Sequence, residues 1–265
     1  MSPKRQTKIY TGDRNSDIAT LTRDYSPGYT IPLHFHDRDQ LVYASLGVMT
    51  VRTRDGTWVV PPYRAVWIPA SISHTIAMSG AVAMRTLYLK PRTATTLPRE
   101  CRVVNVSPLL KELILYACAL GTLNKTKKWQ QHLIAVIIGQ LEVVEMVGLQ
   151  LPHLSDARAA RVAGLLIADP SDRRTLAQIS KSCGASKRTV ERLFHEEAGM
   201  TFGKWRQQLR LMQAMRLLAE GAKVTHAALD AGYSTPSAFI AMFRKVLGTT
   251  PASYFKLPGR RSSTS

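Results

Sequence analysis

The sequence predicts an α+β protein with an N-terminal β-barrel or sandwich, two middle helices and a C-terminal all-α domain holding two helix–turn–helix units. Three observations carry that expectation. Between Thr30 and about Leu89 the texture is short β-rich runs broken by turn residues. From Ser107 onward apolar residues recur at helical spacing instead. In the last third of the chain a stretch of sequence occurs twice, offset by 48 and then 49 residues.

Composition bounds the classes open to the chain. Its 265 residues are 45% hydrophobic and 20% charged, which is globular and excludes a largely disordered protein. Lys and Arg number 36 against 18 Asp and Glu, a net charge of +18, so a polyanion is the first partner to consider. Nucleic acid and membrane headgroups both qualify on charge alone. Cys101, Cys118 and Cys183 lie far apart, giving neither a disulfide framework nor a thiolate metal site, and suit a reducing cytosol. No apolar stretch follows the basic start of the chain, and Leu113–Leu120 and Leu133–Ile138 are too short to span a bilayer. The expected location is the cytoplasm, with no membrane partner.

The elements follow in order. Residues 1–20 are polar and basic, expected as a disordered tail. In the domain at 21–106 the clearest strands are Gln40–Leu46, Val48–Arg54, Thr57–Val60, Ala65–Ile68 and Ala83–Leu89. Asp55-Gly56 between alternating runs is a hairpin signal. Pro108 suits the first position of a helix carrying Leu109, Leu110, Leu113, Ile114, Ala117 and Leu120. After the basic turn Gly121–Lys128 a second helix carries Leu133, Ile137, Leu141, Val144 and Gly148. These helices, 107–150, either cover the barrel or pair with a second copy to make a homodimer. A linker is expected at 151–157, around Pro152, and a second disordered tail at 258–265. The segment 1–155 carries a net charge of +8 and the shorter 156–265 carries +10, so the C-terminal part is the more densely basic.

The repeat lies in the domain at 158–257. Leu176–Gly184 reads as a short amphipathic helix ending on glycine, and Ser186 as the N-cap of a second helix with Val190, Leu193 and Phe194 inward, closing at Gly199. Val224–Gly232 repeats the first helix. Phe243, Gly248, Thr250 and Tyr254 then match Phe194, Gly199, Thr201 and Trp205. Phe202–Glu220 joins the copies as a long helix, with Trp205, Leu209, Met212, Met215 and Leu218 on one side and Arg206, Arg210 and Arg216 expected to be exposed. An α-helix fits the major groove of B-DNA, where each base pair shows a distinct donor and acceptor pattern. Two such units on one rigid helix would meet successive grooves about 34 Å apart.

Residues 172–257 closely resemble the DNA-binding domain of AraC/XylS-type transcription regulators. The resemblance spans both units and includes Gly232-Tyr233-Ser234 and the block Phe243–Tyr254. It implies a sequence-specific regulator of promoter DNA, with RNA polymerase as a partner if it activates. In the first recognition helix Arg188, Glu191 and Arg192 stand where the family reads bases, and they share a face opposite Val190 and Leu193. Arg can bridge guanine O6 and N7, and Glu can accept from cytosine N4. Lys187 and Thr189 suit phosphates. The second helix departs from the pattern, because Ala241 stands where many relatives carry arginine. That leaves Ser234, Thr235 and Ser237, with Ile240 and Arg244, for backbone or thymine-methyl contact. Thr189 and Ser237 read equally well as helix-start residues.

In the N-terminal domain Gly28, His34-Phe35-His36, Gln40 and Gly47 have the spacing of the first cupin motif, with Gln40 in place of glutamate. Pro69–His74 resembles the second motif, with Ser71 in place of glycine. The resemblance implies a cupin-like sensor domain. Alternate residues of a strand share a face, so His34 and His36 point the same way. With His74 they form either a site for Zn²⁺, Ni²⁺ or Fe²⁺ or the lining of an organic-ligand pocket. Trp58, Trp67, Tyr43 and Arg85 either line such a pocket or belong to the core. The expected function is a transcription regulator responding to a small-molecule or metal effector, with no catalytic residues. The competing class is a metal-dependent cupin enzyme fused to a nucleic-acid module, and near the histidines only Asp37 and Asp39 offer an acid or base.

Overall fold

The computed structural model describes residues 7–8, 15–143 and 150–255. Its N-terminal part consists of β1 (Thr7–Lys8), β2 (Ile18–Tyr25), β3 (Thr30–Phe35), β4 (Asp39–Arg52), β5 (Gly56–Val60), β6 (Arg64–Ile68), β7 (His74–Leu89) and β8 (Arg102–Asn105). Then come α1 (Pro108–Leu120), β9 (Thr122–Leu123), α2 (Lys128–Val143) and β10 (Gln150–Pro152). The C-terminal part is α3 (Ala157–Ala168), α4 (Leu176–Ser182), α5 (Lys187–Ala198), α6 (Phe202–Ala219), α7 (Val224–Asp230), α8 (Pro236–Leu247) and α9 (Pro251–Tyr254).

β4 and β7 pair antiparallel from Asp39↔Leu89 to Arg52↔Thr75, and both change their other partner midway. β4 pairs β6 through Gln40–Tyr43 and β5 through Met49–Arg52. β7 pairs β3 at its start and β2 from Val82 to Leu89. The switch lies where the register slips around Gly47, which has φ 77°. A Cβ at Gly47 would stand 2.3 Å from the Ala81 carbonyl oxygen, so only glycine lets the two strands approach there. The runs read separately as Gln40–Leu46 and Val48–Arg54 are therefore one strand bent at a bulge. Asp55-Gly56 closes the β4–β5 hairpin as expected, with Thr53 N donating to Gly56 O at 3.0 Å.

Alternation along the curled sheet splits its side chains between two cores. Leu41, Tyr43, Leu87 and Leu89 pack outward with Leu110, Ile114 and Ala117 of α1 and Ile134, Ile137 and Leu141 of α2. Val42, Ala44, Trp58, Ile76 and Met84 pack inward, in an apolar cluster continuous with the helical domain. The middle helices thus cover the sheet with one stripe. Their other stripe is exposed, including Leu109, Tyr116, Trp129 and Val136.

Several boundaries differ from expectation. Thr7–Lys8 and Ile18–Thr20, inside the expected tail 1–20, belong to strands. Leu151 and Pro152 of the expected linker form β10, which pairs with β5 at the sheet edge. α3 was not read from the sequence; its Asp156 N-cap accepts from Arg158 N. Val144 and Gly148 lie outside the described residues, as does the tail at 258–265. Arg206, Arg210 and Arg216 are half-buried rather than exposed. Arg206 donates to the carbonyls of Arg174 and Asp172, and Arg210 to those of Pro170 and Asp172, which pins the α3–α4 loop to α6. Among the described residues no helix is long and apolar enough to cross a membrane.

α6 buries the expected Trp205, Leu209, Met212 and Met215, and also Leu211 and Ala214. The extra burial arises because α6 touches β4, β7 and β10 as well as α5 and α7. At Gly80 of β7, φ is 70° and a Cβ would lie 2.1 Å from the Ala219 carbonyl oxygen at the end of α6. Trp205 Nε1 donates to Pro152 O at 3.4 Å, and Tyr254 Oη donates to Pro62 O. Both halves of the helical domain are therefore seated on the sheet domain.

Candidate functional site: paired helix units and a histidine cluster

The repeated residues have repeated jobs. Ser186 and Thr235 are N-caps of α5 and α8, each accepting from the backbone N–H three residues on, Thr189 and Ala238. Gly199 and Gly248 end those helices in the left-handed conformation. Thr201 and Thr250 cap the helices that follow. Gly184 and Gly232 make the turns inside the units, at φ 69° and 89°. Phe194 and Phe243 are fully buried in their units. Two independently capped helix–turn–helix units thus stand at the two ends of α6.

The exposed faces of α5 and α8 carry the polar residues singled out from the sequence. Arg188, Glu191 and Arg192 are exposed on α5. Lys187 Nζ lies 3.6 Å from Glu191, and Arg192 donates to Glu196 at 2.6 Å. These i,i+4 pairs are solvent-exposed and worth at most about 1 kcal/mol, so a base or phosphate can replace them at little cost. Thr189 Oγ1 lies 2.9 Å from Ser186 Oγ, so its hydroxyl takes part in the cap. On α8 Ser234, Thr235, Ser237, Ala241 and Arg244 are exposed, Thr235 being the cap.

The histidines meet inside the sheet domain. His34 pairs with His74 across β3 and β7. Ring centroids are 4.2 Å apart for His34–His74, 4.9 Å for His34–His36 and 5.5 Å for His36–His74. One ligating nitrogen from each lies within 4.8 Å of the others, and all three residues are buried. The tautomers follow from the partners. His34 Nδ1 lies 2.7 Å from Pro32 O and His74 Nδ1 2.9 Å from Ile72 O. A carbonyl only accepts, so Nδ1 carries the proton and Nε2 the lone pair in both rings. Burial, then the neighbouring His34 and His36, push His74 down to about 3; burial also lowers His34 against the raising effect of the Pro32 carbonyl. The His34 and His74 rings are therefore neutral near pH 7.

Gln40 is buried in the same interior, its Nε2 donating to Tyr88 Oη at 3.3 Å and its Oε1 left without a donor. The Tyr88 ring lies 4.8 Å from the His36 ring. Sequence reasoning missed Tyr88, whose link to Gln40 is a cross-strand pairing that no short motif records. Ser71, standing in a glycine position, adopts φ 68°, and its N–H donates to His36 O at 2.7 Å. Asp39 is held by Ala70 N at 2.9 Å. Trp58, Trp67 and Tyr43 are core residues, with Trp67 Nε1 donating to Pro98 O, and Arg85 pairs with Asp24 at 2.9 Å.

Comparison with known proteins places this geometry. The AraC-like ligand binding domain family matches residues 19–139, and a helix-turn-helix domain family matches residues 179–257. The chain is 33% identical over 247 residues to the HTH-type transcriptional regulator NimR of Escherichia coli, covering 92% of this chain and 90% of that protein. It is 35% identical over 104 residues to the HTH-type transcriptional regulator RipA of Corynebacterium diphtheriae, covering 39% of this chain and 31% of RipA. Among solved structures, ToxT from Vibrio cholerae bound to an unsaturated fatty acid aligns over 92% of this chain and 96% of its own, at 14% identity and TM-score 0.38.

Proposed function

This chain belongs to the AraC family of DNA-binding transcription regulators with an N-terminal ligand-binding domain, and we propose that both its recognition helices read promoter DNA while the sheet domain answers to an effector. The observation that carries the reading is the pair of helix–turn–helix units whose second helices are N-capped at matching positions, by Ser186 and Thr235, with Arg188 and Arg192 exposed on one and Ser237 and Arg244 on the other. Arg188, Glu191 and Arg192 form the base-reading set, with Lys187 and Thr189 at the phosphates. Ser234, Thr235, Ser237 and Arg244 make backbone and thymine-methyl contacts. α8 has alanines at 238 and 241 on its exposed face, so the first unit supplies most hydrogen-bonded readout.

The effector is a small molecule or a divalent metal ion such as Zn²⁺, Ni²⁺ or Fe²⁺, and the chain works in the cytoplasm without catalysing a reaction. The Asp39 carboxylate, one of the two acid or base candidates near the histidines, is engaged by Ala70 N–H, which favours sensing over turnover. The exposed stripe of Leu109, Tyr116, Trp129 and Val136 supports a homodimer, readable by sedimentation of the full chain. RNA polymerase is a partner where the regulator activates.

Footprinting on the DNA upstream of its own gene, with a salt titration, tests the function. Protection of two stretches about one helical turn apart, outlasting competitor DNA, is expected. Protection with no preference over bulk competitor would refute it.

A further inference from the structure

We propose that the sheet domain fixes the distance and angle between the recognition helices α5 and α8, through Trp205 and Tyr254 acting as positioning residues, so that the full chain selects the spacing between its two DNA contacts. This rests on the function proposed above and adds to it a determinant of specificity that touches no base.

Trp205 and Tyr254 occupy matching places in the repeat, and each ties its own unit to the sheet domain. Trp205 Nε1 donates to Pro152 O at 3.4 Å, and Tyr254 Oη donates to Pro62 O. Each ring also meets, edge to face, the buried phenylalanine of its recognition helix. Trp205 and Phe194 of α5 have centroids 5.3 Å apart at 85°, and Tyr254 and Phe243 of α8 have centroids 5.4 Å apart at 80°. Aromatic pairs favour that geometry, and side chains packed at interior density transmit strain. Each recognition helix is thus coupled, through one phenylalanine and one donor, to a carbonyl of the sheet domain.

The two carbonyls belong to one stiff part. Pro152 lies opposite Gly56, the first residue of β5, and Pro62 lies two residues beyond Val60, the last. β5 is held between β4 and β10, with Trp58, Val59 and Val60 buried. A strand rises about 3.3 Å per residue, so the six steps from Gly56 to Pro62 hold the anchors no more than about 20 Å apart. The far anchor is braced as well. Pro61 and Pro62 have ring-fixed φ, Tyr63 stands at φ 63°, and Val106 N donates to Tyr63 O at 2.9 Å. The Tyr63 ring packs on Tyr254 with centroids 5.7 Å apart. α6 joins the two units through the chain, and β5 joins them again through the two donors, so a rotation of one unit about α6 breaks a latch.

Such a frame reads spacing. Each base pair added between two contacts moves the second by about 3.4 Å and turns it by about 34°. Units free to swivel would follow that change, whereas units held twice must strain themselves or the DNA.

The test uses the full-length chain and the promoter fragment found by footprinting, remade with one base pair inserted or deleted between the two stretches that one chain protects. The wild-type chain should bind these fragments about tenfold more weakly than the natural spacing. Tyr254→Phe keeps the ring on Phe243 and removes only the donor. It should bind the natural spacing within about twofold of wild type and lose most of the penalty. Tyr63→Gly, which accepts φ 63° and removes the sheet-side ring, should do the same, and it decides alone if Tyr254→Phe fails to fold. A wild-type chain indifferent to spacing overturns the inference and leaves the regulator standing. A full penalty kept in the folded variants overturns it too, as does a loss of affinity equal at every spacing, which would give Tyr254 a role in stability alone. A chain that prefers no promoter DNA at any spacing fails as a regulator and takes the inference with it.

Discussion

Arg192 is tied to Glu196 in the free protein, and this bears on the base-reading role proposed for it. The pair is exposed on both sides, so exchanging Glu196 for guanine O6 and N7 costs little. Arg192→Ala should relax base preference and cost roughly 1–3 kcal/mol of specific binding, measured by competition between operator and scrambled DNA. An equal loss on both DNAs would assign Arg192 to phosphate. Asp172 acts at the same scale but on stability. Its carboxylate accepts from Arg174 N at 2.8 Å and from the Arg174 guanidinium at 2.9 and 2.6 Å. That guanidinium holds the carboxyl below its ordinary value of 3.8, with Arg206 adding to the effect. The stabilisation is therefore complete above about pH 4 and is lost as pH falls through the depressed folded value. Asp172→Asn should cost about 1–3 kcal/mol at pH 7 and flatten the fall in urea midpoint below pH 4. An unchanged acid limb would move that role elsewhere.

At the scale of elements, the two turn glycines share a sequence role and differ in surroundings. Gly184 faces open space, so Gly184→Ala should cost only the left-handed backbone penalty, about 1–2 kcal/mol. A Cβ at Gly232 would stand 2.5 Å from Pro170 O and 2.9 Å from Ser171 Cα. Gly232→Ala should therefore destabilise clearly more, by pushing α7 off the α3–α4 loop that Arg206 and Arg210 anchor. Urea unfolding of the two variants checks the order; equal losses would mean that the loop yields freely. The helix boundaries were legible because caps and apolar period act over a few residues, as Ser186 and Thr201 illustrate. The all-round burial of α6 was not, since its second apolar face only makes sense once the sheet lies against it.

For the whole molecule the decisive contact is Gly80 against the end of α6. β7 carries His74 at its start and Gly80 six residues on, so one strand joins the histidine cluster to the helix between the two helix–turn–helix units. Gly80→Ala cannot keep that approach and should loosen the helical domain from the sheet domain while leaving each folded. The expected result is faster limited proteolysis between the domains, with operator binding retained and its effector response lost. An unchanged cleavage rate would show that the approach is not needed to hold the domains together.

By itself the sequence determined the class of each half, the duplicated units with their caps and turns, the exposed polar face of α5 and the residue types at the histidine cluster. All of these depend on spacing within a dozen residues, or on a repeat that can be aligned with itself. Only the tertiary structure decided that Gln150–Pro152 is a sheet edge paired with Gly56–Trp58, that Arg206 and Arg210 turn inward, and that His34, His74 and Gln40 hold acceptors in one interior. Those outcomes join residues tens of positions apart, where closing the chain, burial and hydrogen-bond satisfaction are settled together and no local pattern records the result.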